Sequence, residues 1–173
     1  MCRWRTKKRG ADEPQDHALG RSRGGFSTKI HILCDQHGHP LHFCLTAGQS
    51  HESRSLCDLL AGADDCLKDG QGDPIAWPVA MAGDKGYRAD WIDQFLADLN
   101  IAPVIPSKSN EDRDRRGVDF DRESYRSRNI VERLIGWLKE SRRILTRFEK
   151  LARNYGAFIK VAFIHRYLRL LTS

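Results

Sequence analysis

Long hydrophobic runs are what this chain lacks most plainly. Nowhere among its 173 residues does an apolar stretch approach the ~20 residues a bilayer-crossing helix needs, so a membrane span is not expected. The N-terminal bases Arg3, Arg5, Lys7 and Lys8 have no apolar segment after them, and the start does not read as a signal peptide. Cysteine is scarce and unpaired in pattern. Cys2, Cys34, Cys44, Cys57 and Cys66 are odd in number and form no CxxC, which argues against a disulfide framework and a zinc site. Of the seven histidines, His31, His37, His39, His42 and His51 cluster without the usual ligand spacing, so no histidine metal site is expected. There is no internal repeat and no helix-turn-helix.

What is present fits one globular domain. Hydrophobic residues make up 40% and charged residues 30%, enough for a core and a soluble surface. The net charge of +6 is unevenly spread. Residues 1–30 carry 8 bases and 3 acids, residues 31–110 carry 5 and 11, and residues 111–173 carry 16 and 9. Basic ends suit a polyanion; an acidic middle suits a metal ion or solubility.

Residues 1–19 read as a poorly ordered basic N-terminus, polar and interrupted by Gly10 and Pro14. From Phe26 to Cys34 the chain alternates, with Thr28, Ile30, Ile32 and Cys34 on one face, and Leu41, Phe43 and Leu45 alternate after the turn at residues 35–38. That is a hairpin. Ser50 is placed to cap a short helix to about Leu60, followed by a polar loop from Gly62 to Asp73. Ala76 to Ala82 reads as a buried strand ending at Gly83-Asp84. Asp90 is placed to cap a helix with Trp91, Ile92, Phe95, Leu96 and Leu99 on its apolar face. Ile101 to Ile105 is a short strand whose prolines, Pro103 and Pro106, assign it to an edge. Ser107 to Phe120 reads as a charged loop, mobile without a partner, and a last helix is expected from Glu149 to Leu171, weakened at Gly156.

The richest stretch is YRSRNIVERLIGWLK, Tyr125 to Lys139. Read as one helix, it brings Tyr125, Arg128 and Lys139, with Arg143 beyond, within about 40° of Glu132, while Ile130, Leu134, Trp137 and Ile144 lie about 120–160° away. One carboxylate among cations and a phenol suggests a metal-binding acid with phosphate-binding neighbours. Glu132 also stands four residues from Arg128, the spacing of a surface ion pair.

At these residues the chain resembles the DDE transposases of bacterial insertion sequences, most closely the family numbered five. Its signature of Tyr, two residues, Arg, three residues, Glu, six residues, Lys is met without a gap. GRSRGGFSTKIHILCDQHGHPLHFCLTAGQSHES (Gly20 to Ser53), AGDKGY (Ala82 to Tyr87) and RRILTRFEKLARNYGAF (Arg142 to Phe158) resemble three further blocks of that family. The resemblance implies an RNase H-like α/β fold, a mixed sheet with flanking helices. It makes Asp84 and Glu132 catalytic metal ligands for Mg²⁺, with Mn²⁺ as substitute. Tyr125, Arg128, Lys139, Arg142, Arg143 and Arg147 become DNA-contacting residues, to which Lys150 and the arginines Arg21 and Arg23 can be added. The implied partners are double-stranded DNA at transposon inverted repeats and target DNA, a second copy, or the product of an upstream frame; the implied location is the cytoplasm, at the nucleoid.

The chain departs from the family in one place. The first catalytic Asp is expected on a strand before GRSRGG. There the sequence is MCRWRTKKRGADEPQDHAL, which has no alternating apolar run and only Asp12, Glu13 and Asp16 as acids. Residues 20–173 are therefore expected to be the C-terminal part of such a domain without its first strand, a truncated or second-frame product. Two functions compete: metal-dependent cleavage and strand transfer at transposon ends, or a non-catalytic DNA-binding remnant that inhibits transposition.

Overall fold

The computed structural model describes residues 17–22, 25–112 and 116–172. The expected disorder of residues 1–16, the acids Asp12, Glu13 and Asp16, and Arg23 lie outside them. The fold is mixed α/β, built on a hairpin with helices on both faces.

Strands β2 (Gly25–Cys34) and β3 (Pro40–Ala47) pair antiparallel from Thr28↔Ala47 through Ile32↔Phe43, with a register shift between Leu33 and Cys34. The turn between them is closed by Asp35, whose Oδ1 accepts from the backbone N–H of His37 and His39 at 2.8 and 2.9 Å. Gly38 supplies the left-handed conformation there, φ +81°. A short strand β1 (Gly20–Ser22) pairs with β2 only over Gly25 to Ser27. Beyond Ser27, β2 has a ladder partner on one side only among the described residues.

Alternation gives β2 two working faces. Leu33 packs with a core cluster of Leu56, Leu60, Ile92, Leu96, Ile101 and Ile105, while Ile30 and Ile32 pack with Leu138, Ile144, Tyr155, Ile159 and Phe163. The first cluster belongs to helices α1 (Ser55–Cys66) and α2 (Asp90–Asp98), with the segment around strand β5 (Ala102–Val104). The second belongs to α4 (Asn129–Glu140), α5 (Arg142–Leu145) and α6 (Ala152–Leu171). Strand β4 (Ala80–Ala82) pairs in parallel with β5, and this pair shares no ladder with the hairpin sheet.

Several boundaries differ from the sequence reading. Only Ala80–Ala82 of the run from Ala76 is a strand, and Ala80 and Ala82 are exposed rather than buried. Pro74 and Pro78 have no N–H to give a ladder, and the partner strand is three residues long. The helix after Ser50 starts as one 3-10 turn at Glu52–Arg54, capped by His51 rather than Ser50, and α1 runs on through Gly62 to Cys66. Its apolar spacing, Leu56, Leu59, Leu60 and Ala63, continues past the glycine, and these residues are all buried. Asp90 is the first residue of α2, not its cap; its carboxylate accepts from Arg88 Nη2 at 2.6 Å instead. Gly156 neither bends nor ends α6. It is buried, and a Cβ there would sit 3.5 Å from the Phe43 ring.

The stretch from Tyr125 to Lys139 is two helices, not one. Asp121 caps α3 (Arg122–Arg126) through the N–H groups of Glu123 and Ser124, at 2.8 and 3.1 Å. Tight i→i+3 bonds, Arg128 N to Tyr125 O and Ile130 N to Ser127 O, both 3.1 Å, then break the run at Ser127–Arg128. Within the expected mobile loop, Glu111 and Arg116 are anchored. Glu111 accepts from Arg88, and Arg116 forms two 2.8 Å hydrogen bonds to the carboxylate of Asp93.

Candidate metal and nucleic-acid site

Between β2 and β4 lies a cleft of about 1240 Å³, lined by residues 28–37 of the hairpin, residues 75–84 before and along β4, one face of α1, and α4 from Ile130 to Lys139. Asp84, Glu132, Arg128 and Lys139 all line it. Four of the residues singled out in the sequence are thus brought to one cavity.

Asp84 is there because β4 ends at it. Gly83 still makes a sheet-like bond to Val104 O at 3.2 Å, and the next residue turns. Asp84 caps the 3-10 turn Lys85–Tyr87, its Oδ1 accepting from Gly86 N at 2.7 Å. Oδ2 has no hydrogen-bond partner among the described residues. Gly86 leaves room for two carboxylates. A Cβ there would meet Asp84 Oδ1 at 2.9 Å and Glu52 Cγ and Oε2 at 3.2 Å.

Glu52 is the acid that sequence reasoning did not single out. It lines the same cleft and is held by Lys29 Nζ at 2.5 Å. Partial burial acts to raise its carboxyl pKa, but the Lys29 hydrogen bond and charge prevail and hold it below its ordinary range. Its one sequence signal is its place in the Gly20 to Ser53 block.

Behind Asp84 is a polar cluster centred on His31, which is 4% exposed. Its Nδ1 is 2.7 Å from the Tyr87 hydroxyl and 3.0 Å from Ser55 Oγ, and its Nε2 is 2.8 Å from Thr46 Oγ1. Burial holds the imidazole pKa below its ordinary value, so the ring is neutral near pH 7, donating at one nitrogen and accepting at the other. On the other side of the turn, Arg88 is 2% exposed and pairs with Asp90, Asp93 and Glu111.

Glu132 lies in the first turn of α4 and is exposed, its Oε1 accepting from Arg128 Nη2 at 2.7 Å. The Arg128 guanidinium also lies 5.3 Å from the Tyr125 ring centre. Tyr125 itself, on α3, is not among the cleft-lining residues, and neither are Arg142, Arg143 and Arg147. Arg142 is exposed; Arg143 is exposed, 3.1 Å from Glu149, and stacks on Phe158. Arg147 is turned inward. Its guanidinium donates to the carbonyls of His17, Ala18, Glu149 and Lys150 and to Thr28 Oγ1, and packs 5.0 Å from the Tyr155 ring. It ties residues before β1 to the start of α6.

The donor chemistry of the cleft is that of a hard cation. Carboxylate oxygens face it, and Mg²⁺ takes one or two carboxylates and fills its remaining positions with water and phosphate oxygens. Asp84 and Glu132 fit that use. No group of three His, Cys, Asp or Glu side chains close enough to hold a metal occurs among the described residues. The described thiols do not compete: burial pushes that of Cys44 up to about 11 and that of Cys34 upward.

Comparison with known proteins places the chain in a family. The family model described as "Transposase DDE domain" matches residues 3–166. A protein of Burkholderia cepacia, named as a transposase for insertion sequence element IS402, is 32% identical over 159 residues, covering 92% of this chain and 68% of its own length. A protein of Brucella ovis, named as a transposase for insertion sequence element IS6501, is 31% identical over 144 residues, 83% of this chain and all of its own. No solved structure matches. With the match spanning nearly the whole chain, and both relatives bearing the names of insertion-sequence transposases, this chain belongs to the DDE transposase family.

Proposed function

We propose that this chain works in DNA transposition, binding the ends of an insertion sequence and carrying two of the carboxylates at which DNA strands are cut and joined. The observation that carries this reading is the convergence of Asp84 and Glu132, from separate elements, on one cleft rimmed by Arg128 and Lys139. Asp84 and Glu132 would hold Mg²⁺, which activates an oxygen nucleophile and stabilises the departing oxygen of the phosphodiester. Arg128 pairs with Glu132 and is placed to meet a phosphate once the pair opens; Lys139 adds a second cation. Exposed Arg142 and Arg143 lie outside the cleft and suit backbone contacts that give affinity without sequence choice.

The cleft also fits an RNase H-like sheet with one strand absent from the described residues. Among the described residues, β2 beyond Ser27 and β4 each have a ladder partner on one side only, and both line the cleft. Two unpaired edges are a template for an added strand. A strand there would join the two sheets into one and carry a third carboxylate to Asp84 and Glu132. Asp12 and Asp16 of this chain, or a strand from an upstream-frame product, are the sources in this reading.

A second reading, a non-catalytic end-binding protein, is favoured by one observation: no three acid, histidine or cysteine side chains come close enough together to hold a metal among the described residues. Labelled DNA carrying the element's ends, incubated with the purified chain and Mg²⁺ or Mn²⁺, separates the two. Cleavage that falls by at least about a hundredfold in Asp84→Asn and in Glu132→Gln supports the catalytic reading. Binding without cleavage supports the second. Cleavage unchanged in both variants overturns the assignment of the site.

A further inference from the structure

We propose that His31 is the positioning residue of this site, fixing the turn that bears Asp84 to the strand on which the helix of Glu132 packs. The inference rests on the reading of Asp84 as a metal ligand.

The two carboxylates come from parts of the fold that share no sheet. Asp84 follows β4, which among the described residues pairs with β5 alone; Glu132 rides on α4, which packs against β2. Their separation is therefore set by whatever ties the β4 unit to β2. The polar tie is His31. It stands on β2 itself, and its ring reaches the hydroxyl of Tyr87, the last residue of the turn that Asp84 caps. The ring is in turn held from three directions, by its own strand, by Thr46 on β3 and by Ser55 at the start of α1. Ser55 Oγ has its proton committed to Glu52 O at 2.6 Å, so the hydroxyl cannot turn away without losing a bond. Arg88, the next residue after Tyr87, fixes the far end of the same turn to α2.

A buried imidazole filling a core gap would need only its volume. This one has a hydroxyl on each nitrogen, and one of those hydroxyls belongs to the turn of Asp84. Losing that hydroxyl leaves Nδ1 with Ser55 alone and frees the turn to shift. Removing the partner that orients a ligand commonly lowers metal affinity by about 10–100-fold.

The test uses the full chain and Mn²⁺ binding followed by electron paramagnetic resonance. The variants are His31→Asn, Tyr87→Phe, the double variant and Asp84→Asn, each with its melting temperature. Tyr87→Phe keeps the ring in the core and removes only the hydroxyl that His31 grips. If His31 acts through Tyr87, each single change weakens Mn²⁺ binding about tenfold, and the double is no weaker than the weaker single. Wild-type affinity in folded His31→Asn and Tyr87→Phe, with binding lost in Asp84→Asn, overturns the inference and leaves the site reading intact. Losses that add in the double variant also overturn it, because His31 then acts by another route. Binding unchanged in Asp84→Asn overturns the reading of the site, and the inference with it.

Discussion

Gly86 shows how closely the site is built at the scale of one residue. It separates two carboxylates, and any side chain there presses on Asp84 Oδ1 and Glu52 at once. Gly86→Ala is expected to displace the carboxylate of Asp84 or Glu52, with a larger effect on the site than on the stability of the fold. Urea unfolding measures the stability, and Mn²⁺ affinity measures the displacement. A variant as stable as the parent, with unchanged affinity, would mean that the turn has room the structure does not show. Asp84 and Glu132 were legible as candidates, and as far as a shared cleft, because each sits in a motif with fixed spacing. Glu52 and the partners of His31 were not. Their roles depend on Lys29, Tyr87, Thr46 and Ser55, between 15 and 56 residues from His31 or 23 residues from Glu52. No local periodicity reports a contact across that distance.

At the scale of elements, the hairpin was legible because alternation and a turn glycine are local signals. The β4–β5 pair was legible only as two apolar runs. Its parallel pairing depends on α2 returning the chain, and its shortness on prolines and on the length of the partner. The break between α3 and α4 was missed because Tyr125 to Lys139 has unbroken helical spacing; the competing signal, the Asp121 cap, lies outside the motif. The loop after Ile105 was read as mobile from its charge, yet those charges are its anchors. Arg88 lies behind this: its hydrogen bonds hold the carboxyls of Asp90 and Glu111 below their ordinary pKa. A depressed carboxyl favours the folded state fully above its unfolded pKa, and that contribution drains away as pH falls through the folded value. Arg88→Met should therefore cost stability at pH 7, and the gap from wild type should narrow as pH drops below about 4. Denaturant midpoints at both pH values check this; a gap that stays constant would show that these pairs are not what Arg88 contributes.

For the whole molecule, the hairpin is the frame, with helices on both faces and the β4–β5 pair set beside it across the cleft. Family membership was legible from motif order alone. The arginines proposed to contact DNA differ in place: Arg143 lies on the surface, whereas Arg147 is enclosed by carbonyls and ties the residues before β1 to the start of α6. The central claim is that Asp84 and Glu132 share one metal. Fe²⁺ in place of Mg²⁺, with ascorbate and peroxide, cuts a polypeptide beside the bound ion, and mass spectrometry of the fragments locates the cuts. The account predicts cuts near residue 84 and near residue 132 together, both suppressed by excess Mg²⁺ and both lost in Asp84→Asn. Cuts at one position only, or cuts that survive Asp84→Asn, would contradict it.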